Sequence, residues 1–314
     1  MPAEYHEAYI NTGYRCRGLV AADCIKTMFQ WTNETANVWT HFLPVSLFVV
    51  LAVYINNTKF ALLADPQAFP LSFFILGCIV LMTVSTCAHL FNCISSRARH
   101  ICFYVDYLGI AVYGLTSGIA YFYYCLPFDI TTSFFTRTSP VRLQLIAVFL
   151  GIIACYVSCM SRHRWHSARY VIRTLSYSLL YVFDSIPLLV RMYNGAAGNG
   201  WEPALTYHAI HMSLIVGGSI VNALKVPERF WPGSFDYVGN SHQVMHVCSA
   251  AACCFQITAI MLDMETKRYA IMSRGFPKLF DVVGPFLVLV LCNGAIVLLF
   301  SRRLYSKESS GKDS

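Results

Sequence analysis

Charged residues are scarce in this chain of 314 residues: Asp, Glu, Lys and Arg make up 12% of it, whereas hydrophobic residues make up 56%. A soluble domain carries about 25% charged residues. The mean hydropathy is +0.53, so the chain has more apolar surface than a single core can hide, and lipid must cover the rest. The shortage of charge therefore excludes an ordinary soluble domain and indicates a membrane protein.

Two other features are missing. Residues 1–38 mix charges, glycines and aromatics, so they lack the apolar core of a signal peptide. The chain has 13 cysteines but no CxxC…CxxC pattern, and most of the thiols lie in apolar runs, where they behave as small hydrophobes. We therefore expect neither a disulfide framework nor a cysteine-based zinc site.

Long apolar segments are abundant, and eight of them reach the length of about 20 residues that a spanning helix needs. The eight segments are 40–58, 70–91, 103–125, 141–160, 170–191, 205–224, 242–264 and 283–301. The gaps between them are short and contain no soluble domain. The sequence predicts an all-α membrane protein with an N-terminal segment over 1–39, a transmembrane bundle over 40–301 and a tail over 302–314.

The basic residues are shared unequally between the two sides of such a bundle. Of the 23 Lys and Arg residues, fourteen lie on the side of residues 1–38 and the tail, eight lie on the other side, and Arg173 lies just inside the fifth segment. The excess favours cytoplasmic termini, although the loop after the seventh segment runs against it with four basic residues. This orientation disfavours the rhodopsin-like receptors, whose DRY and NPxxY motifs are also missing.

Two histidines, His242 and His246, lie four residues apart at the start of the seventh segment. This spacing places both imidazoles on one helix face, one turn apart. Helices use the same arrangement to give two ligands to one metal ion. The spacing alone leaves open that both are histidines satisfied within a packed core.

His89 ends the second segment and Asp106 begins the third. Because successive spans alternate in direction, both lie at the same membrane face as His242 and His246. Three imidazoles and a carboxylate at one level suit a tetrahedral Zn²⁺ site with water in the fourth position, which Asp106 could hold or deprotonate. Ser85, one turn before His89, could orient that water or an oxyanion. The competing interpretation is a structural zinc that ties helices two and seven together.

Other polar residues inside the spans are less specific, although each intramembrane charge marks a candidate site. Asp184 shares its helix with Arg173 and Arg191, so it is either part of a buried ion pair or a ligand contact. His208 and His211 begin the sixth segment on the opposite side from the zinc candidates. We expect these two histidines to be interfacial.

Five stretches of the chain, in order, resemble the progestin and adipoQ receptor (PAQR) family. They are Gly13-Tyr14-Arg15, TNETANVWTHFLP over 32–44, Ser85-x-x-x-His89, ARHICFYVDYLGIA over 98–111 and FDYVGNSHQVMHV over 235–247. The ARHIC tract and the eighth segment resemble the membrane progestin receptor branch more than the adiponectin receptor branch. One departure is Asn240, where relatives often carry another residue, and it leaves the neighbouring histidines intact.

The resemblance implies a seven-transmembrane PAQR-like helix bundle with a cytoplasmic N-terminus, to which this chain adds an eighth C-terminal transmembrane helix. It also implies zinc bound by His89, His242 and His246, with Asp106 contacting the zinc-bound water. Similar sites occur in a wider superfamily of membrane hydrolases, some of which act on ceramide amides.

Two functions follow from these observations. The first is a receptor, which the resemblance implies for a steroid (progestin-like) or related lipid, in the plasma membrane, with signalling through the cytoplasmic loops to a G protein. The second is a zinc-dependent hydrolase of a lipid amide, in which Asp106 acts as base and Ser85 assists. A transporter is less favoured, because the sequence shows no inverted repeat. We expect membrane lipids, but no nucleic acid, as further partners.

Overall fold

The fold is known from a computed structural model that describes residues 5–62, 64–126, 139–165, 168–273, 275 and 277–310. Within these ranges the chain forms helices and no β-strand. The last four residues of the predicted tail lie outside the described ranges.

Ten α-helices occur in the described residues, and eight of them are long. The short ones are α1 (Ala21–Lys26) and α9 (Arg268–Ser273). The long ones are α2 (Thr35–Thr58), α3 (Phe69–Phe91), α4 (Ser96–Ala120), α5 (Pro140–Met160), α6 (Arg169–Asn194), α7 (Pro203–Leu224), α8 (Ser241–Thr266) and α10 (Leu279–Ser310). Each long helix has the length and apolarity to cross a membrane. The predicted fold class, an all-α membrane protein with eight spanning helices, is confirmed.

Two helices are longer than the apolar segments from which they were predicted. Helix α2 starts at Thr35, five residues before the apolar run that begins at residue 40. Its first turn carries polar side chains such as Asn37, which is buried and bonds to Glu34 instead of water. Helix α10 continues to Ser310, beyond the apolar run that ends at residue 301. Hydropathy does not detect such polar turns, because they add no apolar residues.

Local sequence explains where several helices begin. The Ser95 hydroxyl accepts a hydrogen bond from the Ala98 amide at the start of α4 (3.0 Å). Asn240 does the same for α8, because its Oδ1 accepts from the Gln243 amide (3.1 Å). Both are typical N-cap residues. Helices α5 and α7 begin instead with Pro140 and Pro203, whose missing amide hydrogen costs nothing at the first helical position.

Helix α4 is the centre of the bundle. It packs against α3, α5, α6 and α10, while α2 packs between α3 and α8, and α7 lies along α8. Helices α5 and α10 also pack on each other, so they form an outer layer beside α4. Helices α6 and α7 pack on each other less extensively than α7 packs on α8 or α6 on α5. Side chains on the outer faces are apolar and exposed, for example Val50 and Leu291, as expected of a surface that meets lipid.

The α3–α4 contact depends on a glycine. A Cβ atom added at Gly77 would lie 1.9 Å from the Thr116 Oγ1 atom, which is too close for any pair of non-bonded atoms. Thr116 is itself fixed by hydrogen bonds to the Val112 and Tyr113 carbonyl oxygens. Small residues allow such close approach of helix backbones in membranes.

We predict that Gly77→Ala lowers the melting temperature of the purified protein, because the added methyl group must push α3 and α4 apart at a cost of about 1–3 kcal/mol. The matched control is Gly217→Ala, since Gly217 is also helical but has open space where its Cβ would stand. Scanning fluorimetry in detergent measures both variants. Equal melting temperatures would show that this contact does not limit the stability of the bundle.

Candidate metal centre

Three histidines converge at one end of the bundle. His89 lies in the last turn of α3, and His242 and His246 lie one turn apart at the start of α8. The Nε2 atoms of His89 and His242 are 3.2 Å apart, and the three histidines each offer a nitrogen within 4.8 Å of the others. Ligand nitrogens around a tetrahedral Zn²⁺ stand about 3.3 Å apart, given Zn–N bonds of about 2.0 Å. The donor set and its spacing therefore fit a metal ion after a small adjustment.

Two of these histidines are held by partners on their outer nitrogens. The Nδ1 atom of His89 lies 2.8 Å from Glu34 Oε2, and the Nδ1 atom of His246 lies 3.1 Å from the Thr40 hydroxyl. Such outer bonds fix the orientation of a metal-binding imidazole and leave its other nitrogen for the metal. The site thus has the supporting bonds that a metal centre needs, and α2 supplies or flanks both partners.

Glu34 is a junction of buried hydrogen bonds just before α2. Besides His89, it accepts from Asn37 Nδ2 (2.8 Å) and Asn92 Nδ2 (2.7 Å). Burial by itself would raise the pKa of the Glu34 carboxyl, but the neighbouring His89 and Arg15 outweigh burial and hold that pKa well below its usual range. Glu34 is therefore an ionised acceptor that joins the start of α2 to the end of α3.

Arg15 supports the same group from the N-terminal segment. Its guanidinium donates to the backbone oxygens of His89 (2.5 Å) and Leu90 (2.8 Å) and to Asn92 Oδ1 (2.8 Å). The two carbonyl groups belong to the last turn of α3, where helical partners run out. Arg15 thus closes the end of the helix that carries His89.

The N-terminal segment is also fastened to the loop between α7 and α8. The carboxylate of Asp236 accepts from the backbone amides of Asn11 (2.9 Å) and Thr12 (2.7 Å), and Asp236 is buried. Trp31 stacks on Tyr237 with ring centroids 5.7 Å apart. Residues before α2 and after α7 therefore cover the histidine end of the bundle together.

A fourth imidazole lies beside the cluster. His41 is buried and stacks on His246 at a centroid distance of 3.7 Å. Its Nδ1 atom lies 2.8 Å from the Ser85 hydroxyl. Ser85 therefore reaches the site through a bond to His41, and its predicted role toward a water or an oxyanion stays a prediction.

Asp106 lies half-buried on α4 and lines the same cavity as Ser85 and the three histidines. Phe103, one turn earlier on α4, meets the His89 ring edge-on at 6.3 Å. The alternating direction of the spans predicts one depth for these side chains, and the structure brings them to the wall of one cavity. The catalytic role of Asp106 stays a prediction.

The cavity has a volume of about 570 Å³ and extends from the histidines into the middle of the bundle. Ligand pockets of proteins span about 300–1,000 Å³. Side chains of α2, α3, α4, α6, α7 and α8 form its walls. Five cationic side chains stand at the histidine end, namely Arg99, Arg162, Arg169, Arg173 and Lys225. Tyr181 and Asp184 line the part that lies deeper in the bundle.

A second polar cluster occupies the opposite end of the bundle. Asp263 accepts two hydrogen bonds from Arg191 (2.8 and 2.9 Å) and lies 3.0 Å from His208 Nε2 and 3.3 Å from Cys125 Sγ. The spacing of Cys125, His208 and Asp263 would suit a metal. The guanidinium already pairs with both carboxylate oxygens, however, so a divalent cation would meet a positive charge. We interpret the cluster as a buried ion network.

Two expectations from the sequence need correction. His208 and His211 are fully buried, so they are not interfacial. His208 joins the Asp263 network, and the Nδ1 atom of His211 lies 3.2 Å from the Ala252 carbonyl oxygen. Arg191 pairs with Asp263 and not with Asp184, and Arg173 donates to the Ser161 hydroxyl (2.7 Å). The ion-pair interpretation of Asp184 is therefore wrong.

Comparison with known proteins agrees with this architecture. The family model described as Haemolysin-III related matches residues 29–257. Membrane progestin receptor gamma-A of Danio rerio is 36% identical over 98% of this chain and 93% of its own length. Membrane progestin receptor gamma of Homo sapiens is 32% identical over 97% and 92%, and membrane progestin receptor delta of Mus musculus is 34% identical over 85% and 78%.

The chain therefore belongs to the Haemolysin-III related family, the family of the PAQR proteins. The resemblance that the sequence motifs indicated is confirmed. The prediction of an integral membrane protein is confirmed as well. The similarity to membrane progestin receptors over nearly the whole chain supports a membrane receptor of this family.

We predict that Glu34→Gln weakens zinc binding by about 10- to 100-fold, because the amide gives His89 a weaker and uncharged outer partner. Glu265→Gln is the control, since Glu265 is exposed and pairs with Lys59, away from the three histidines. Competition with a chromophoric chelator measures the affinity of both variants. Unchanged affinity would mean that Glu34 supports the fold and not the metal.

Proposed function

We propose that this protein is a membrane receptor for a steroid or a related apolar lipid, with Zn²⁺ held by His89, His242 and His246. The observation that carries the proposal is the cavity of about 570 Å³ that runs from the histidine cluster into the bundle. A cavity of this size inside a membrane protein suits one small lipid molecule better than an ion path.

The cavity walls suit a flat apolar ligand. Aromatic side chains line it along its length, namely Phe103, Tyr107, Tyr113, Tyr177 and Tyr181. Exposed side chains of α6 and α7, such as Thr174 and Val216, also belong to the lining, so the cavity reaches the outer surface between these two helices. A lipid would enter there without crossing water. The printed names of the relatives refer to progestins, and we extend that ligand class to this chain as part of the proposal.

Zinc, when bound, supplies a Lewis acid and ties α3 to α8. Glu34 and Thr40 hold the His89 and His246 rings, so they set the direction of the two ligand nitrogens. The ends of α3 and α8 are joined to the N-terminal segment through Arg15 and Asp236. A ligand that shifts either helix would move this segment, which offers a route for a signal.

The orientation belongs to the proposal as well. We place both termini in the cytoplasm and the protein in the plasma membrane. The excess of Lys and Arg on that side supports the orientation. The five cationic side chains at the histidine end of the cavity would then lie near the cytoplasmic face. We propose a G protein as the partner that receives the signal.

A lipid amide hydrolase is the second candidate, and one observation favours it. Asp106 lines the cavity together with the three histidines and Ser85. A carboxylate in this position can hold a water molecule and take its proton, while the Ser85 hydroxyl donates to a developing oxyanion. Both functions place a lipid in the same cavity, so they differ only in whether the lipid is cleaved.

We predict one zinc per chain in the purified protein and a loss of that zinc in His246→Ala, because two histidines alone bind zinc weakly. His6→Ala is the control, since His6 is exposed and lies outside the cluster. Metal analysis of the folded, gel-filtered samples gives the result. Zinc that remains in His246→Ala would refute the assignment of this ligand.

We predict that Asp106→Asn keeps steroid binding within about threefold, because the amide preserves the shape of the side chain at one end of the cavity. If the site hydrolyses an amide, the same variant loses ceramide hydrolysis by at least about 100-fold, since it removes the base. The two assays are run on the same wild-type and variant samples in nanodiscs. Wild-type protein that contains zinc but leaves ceramide intact would eliminate the hydrolase and retain the receptor.

A further inference from the structure

Asp184 is a buried acid without a partner. It lies on α6 and is 2% exposed, and neither of its carboxylate oxygens receives a hydrogen bond in the part of the chain that the structure describes. The three arginines of its own helix bond to other groups: Arg169 to the Tyr170 hydroxyl, Arg173 to Ser161 and Arg191 to Asp263. An isolated carboxyl group in an apolar surrounding is costly, so such residues inside membranes have a specific function as a rule.

The side chain faces the cavity across from a glycine. A Cβ atom at Gly118 of α4 would stand 2.5 Å from Asp184 Oδ1, so only glycine leaves room for the carboxyl group at this place. Tyr181, one turn before Asp184, also lines the cavity, and its hydroxyl lies beside Ser185 without a well-formed hydrogen bond to any described residue. An acceptor and a hydroxyl thus stand side by side in the wall.

This pair lies far from the histidines. Gly118 follows Asp106 by twelve residues on α4, which corresponds to about 18 Å along the helix at 1.5 Å per residue. The polar groups between the two levels satisfy one another, since Gln256 bonds to both Tyr113 (2.9 Å) and Ser117 (2.5 Å). Asp184 and Tyr181 are therefore the polar groups at the inner end of the cavity that remain for a ligand.

We propose that Asp184 and Tyr181 recognise a hydroxyl group at the inner end of the bound lipid. A hydroxyl donates to the carboxyl group of Asp184 and accepts from the hydroxyl of Tyr181, so one ligand group satisfies both side chains. A ketone only accepts, so it leaves an acceptor oxygen of the Asp184 carboxyl group without a donor. The inference rests on the proposed function, because it names the polar group that the ligand of the receptor carries.

Three steroids with the same ring skeleton test the proposal. Progesterone carries ketones at both ends, pregnenolone carries a hydroxyl at carbon 3, and 20-hydroxyprogesterone carries one at carbon 20. Binding to the zinc-loaded full chain in nanodiscs is measured by competition. We expect one of the two hydroxylated steroids to bind at least about tenfold more tightly than progesterone, since progesterone leaves a buried acceptor oxygen of Asp184 without a donor.

Two variants assign the preference to the proposed pair. Asp184→Asn offers an amide donor to a ketone, so the preference for the hydroxylated steroid falls to about threefold or less. Tyr181→Phe removes the other half of the pair and also reduces the preference. Asp23→Asn is the control, because Asp23 is an exposed acid that pairs with Lys26. Its ratio of affinities stays at the wild-type value.

The outcomes separate the inference from the function on which it rests. Equal binding of all three steroids to the wild type would overturn the hydroxyl site and leave the receptor in place. A preference that persists in both variants would also overturn the assignment to Asp184 and Tyr181. No binding of any of the three steroids to zinc-loaded protein would overturn the steroid receptor itself, and the inference with it.

Discussion

The carboxylate of Glu34 is the interaction on which the histidine end of this protein depends. It stands where the N-terminal segment becomes α2, and its bonds reach His89 and Asn92 at the end of α3. A charged acceptor with several donors is stronger than the same number of neutral bonds. Two of its partners also contact other parts of the chain, since His89 lies against His242 of α8 and Asn92 accepts from Arg15. Glu34 therefore helps to position these parts as well. Arg15 continues the pattern, since it holds Asn92 and the His89 carbonyl group from the other side.

The two ends of the bundle solve the same electrostatic problem in different ways. Both bury a carboxylate, and both surround it with donors. At one end Glu34 meets imidazole and amide groups, and at the other Asp263 meets a guanidinium and an imidazole. The second arrangement is closed, because its charges neutralise one another. The first is open, because its imidazoles still present nitrogens to the cavity. Asp184, between the two ends, is the exception: a buried acid that the described protein residues do not satisfy.

Hydropathy and spacing predicted the eight spans and the positions of the three histidines, because both signals are local. The helical period places His242 and His246 on one face, and the alternation of spans places His89 at their level. The supporting groups could not be predicted in this way. Glu34 and His41 lie within the TNETANVWTHFLP motif, yet nothing in their spacing shows that one bonds to His89 and the other stacks on His246. A polar first turn ahead of an apolar run was the available signal, and α2 begins there.

The wrong predictions for His208 and Asp184 also arise because the partners lie on different helices. His208 stands near the start of a span, which is typical of interfacial residues, but the acid that draws it inside lies on another helix, 55 residues later. Asp184 shares a helix with Arg173 and Arg191, so an ion pair along that helix was reasonable. Arg191 instead turns toward Asp263 on α8, where two carboxylate oxygens and a buried position give a better pair. Choices between partners on different helices are set by packing, which sequence distance does not encode.

The three histidines are far apart along the chain, and 153 residues separate His89 from His242. A nascent chain that has inserted only its first six spans carries one of the three ligands, and it also lacks the Asp236 carboxylate that fastens the N-terminal segment. The three histidines can therefore come together only after the seventh span is in place. A metal ion bound to them would thus report that the first seven of the eight spans have been inserted, and a chain arrested earlier would be distinguishable to the cell as one that cannot hold the ion.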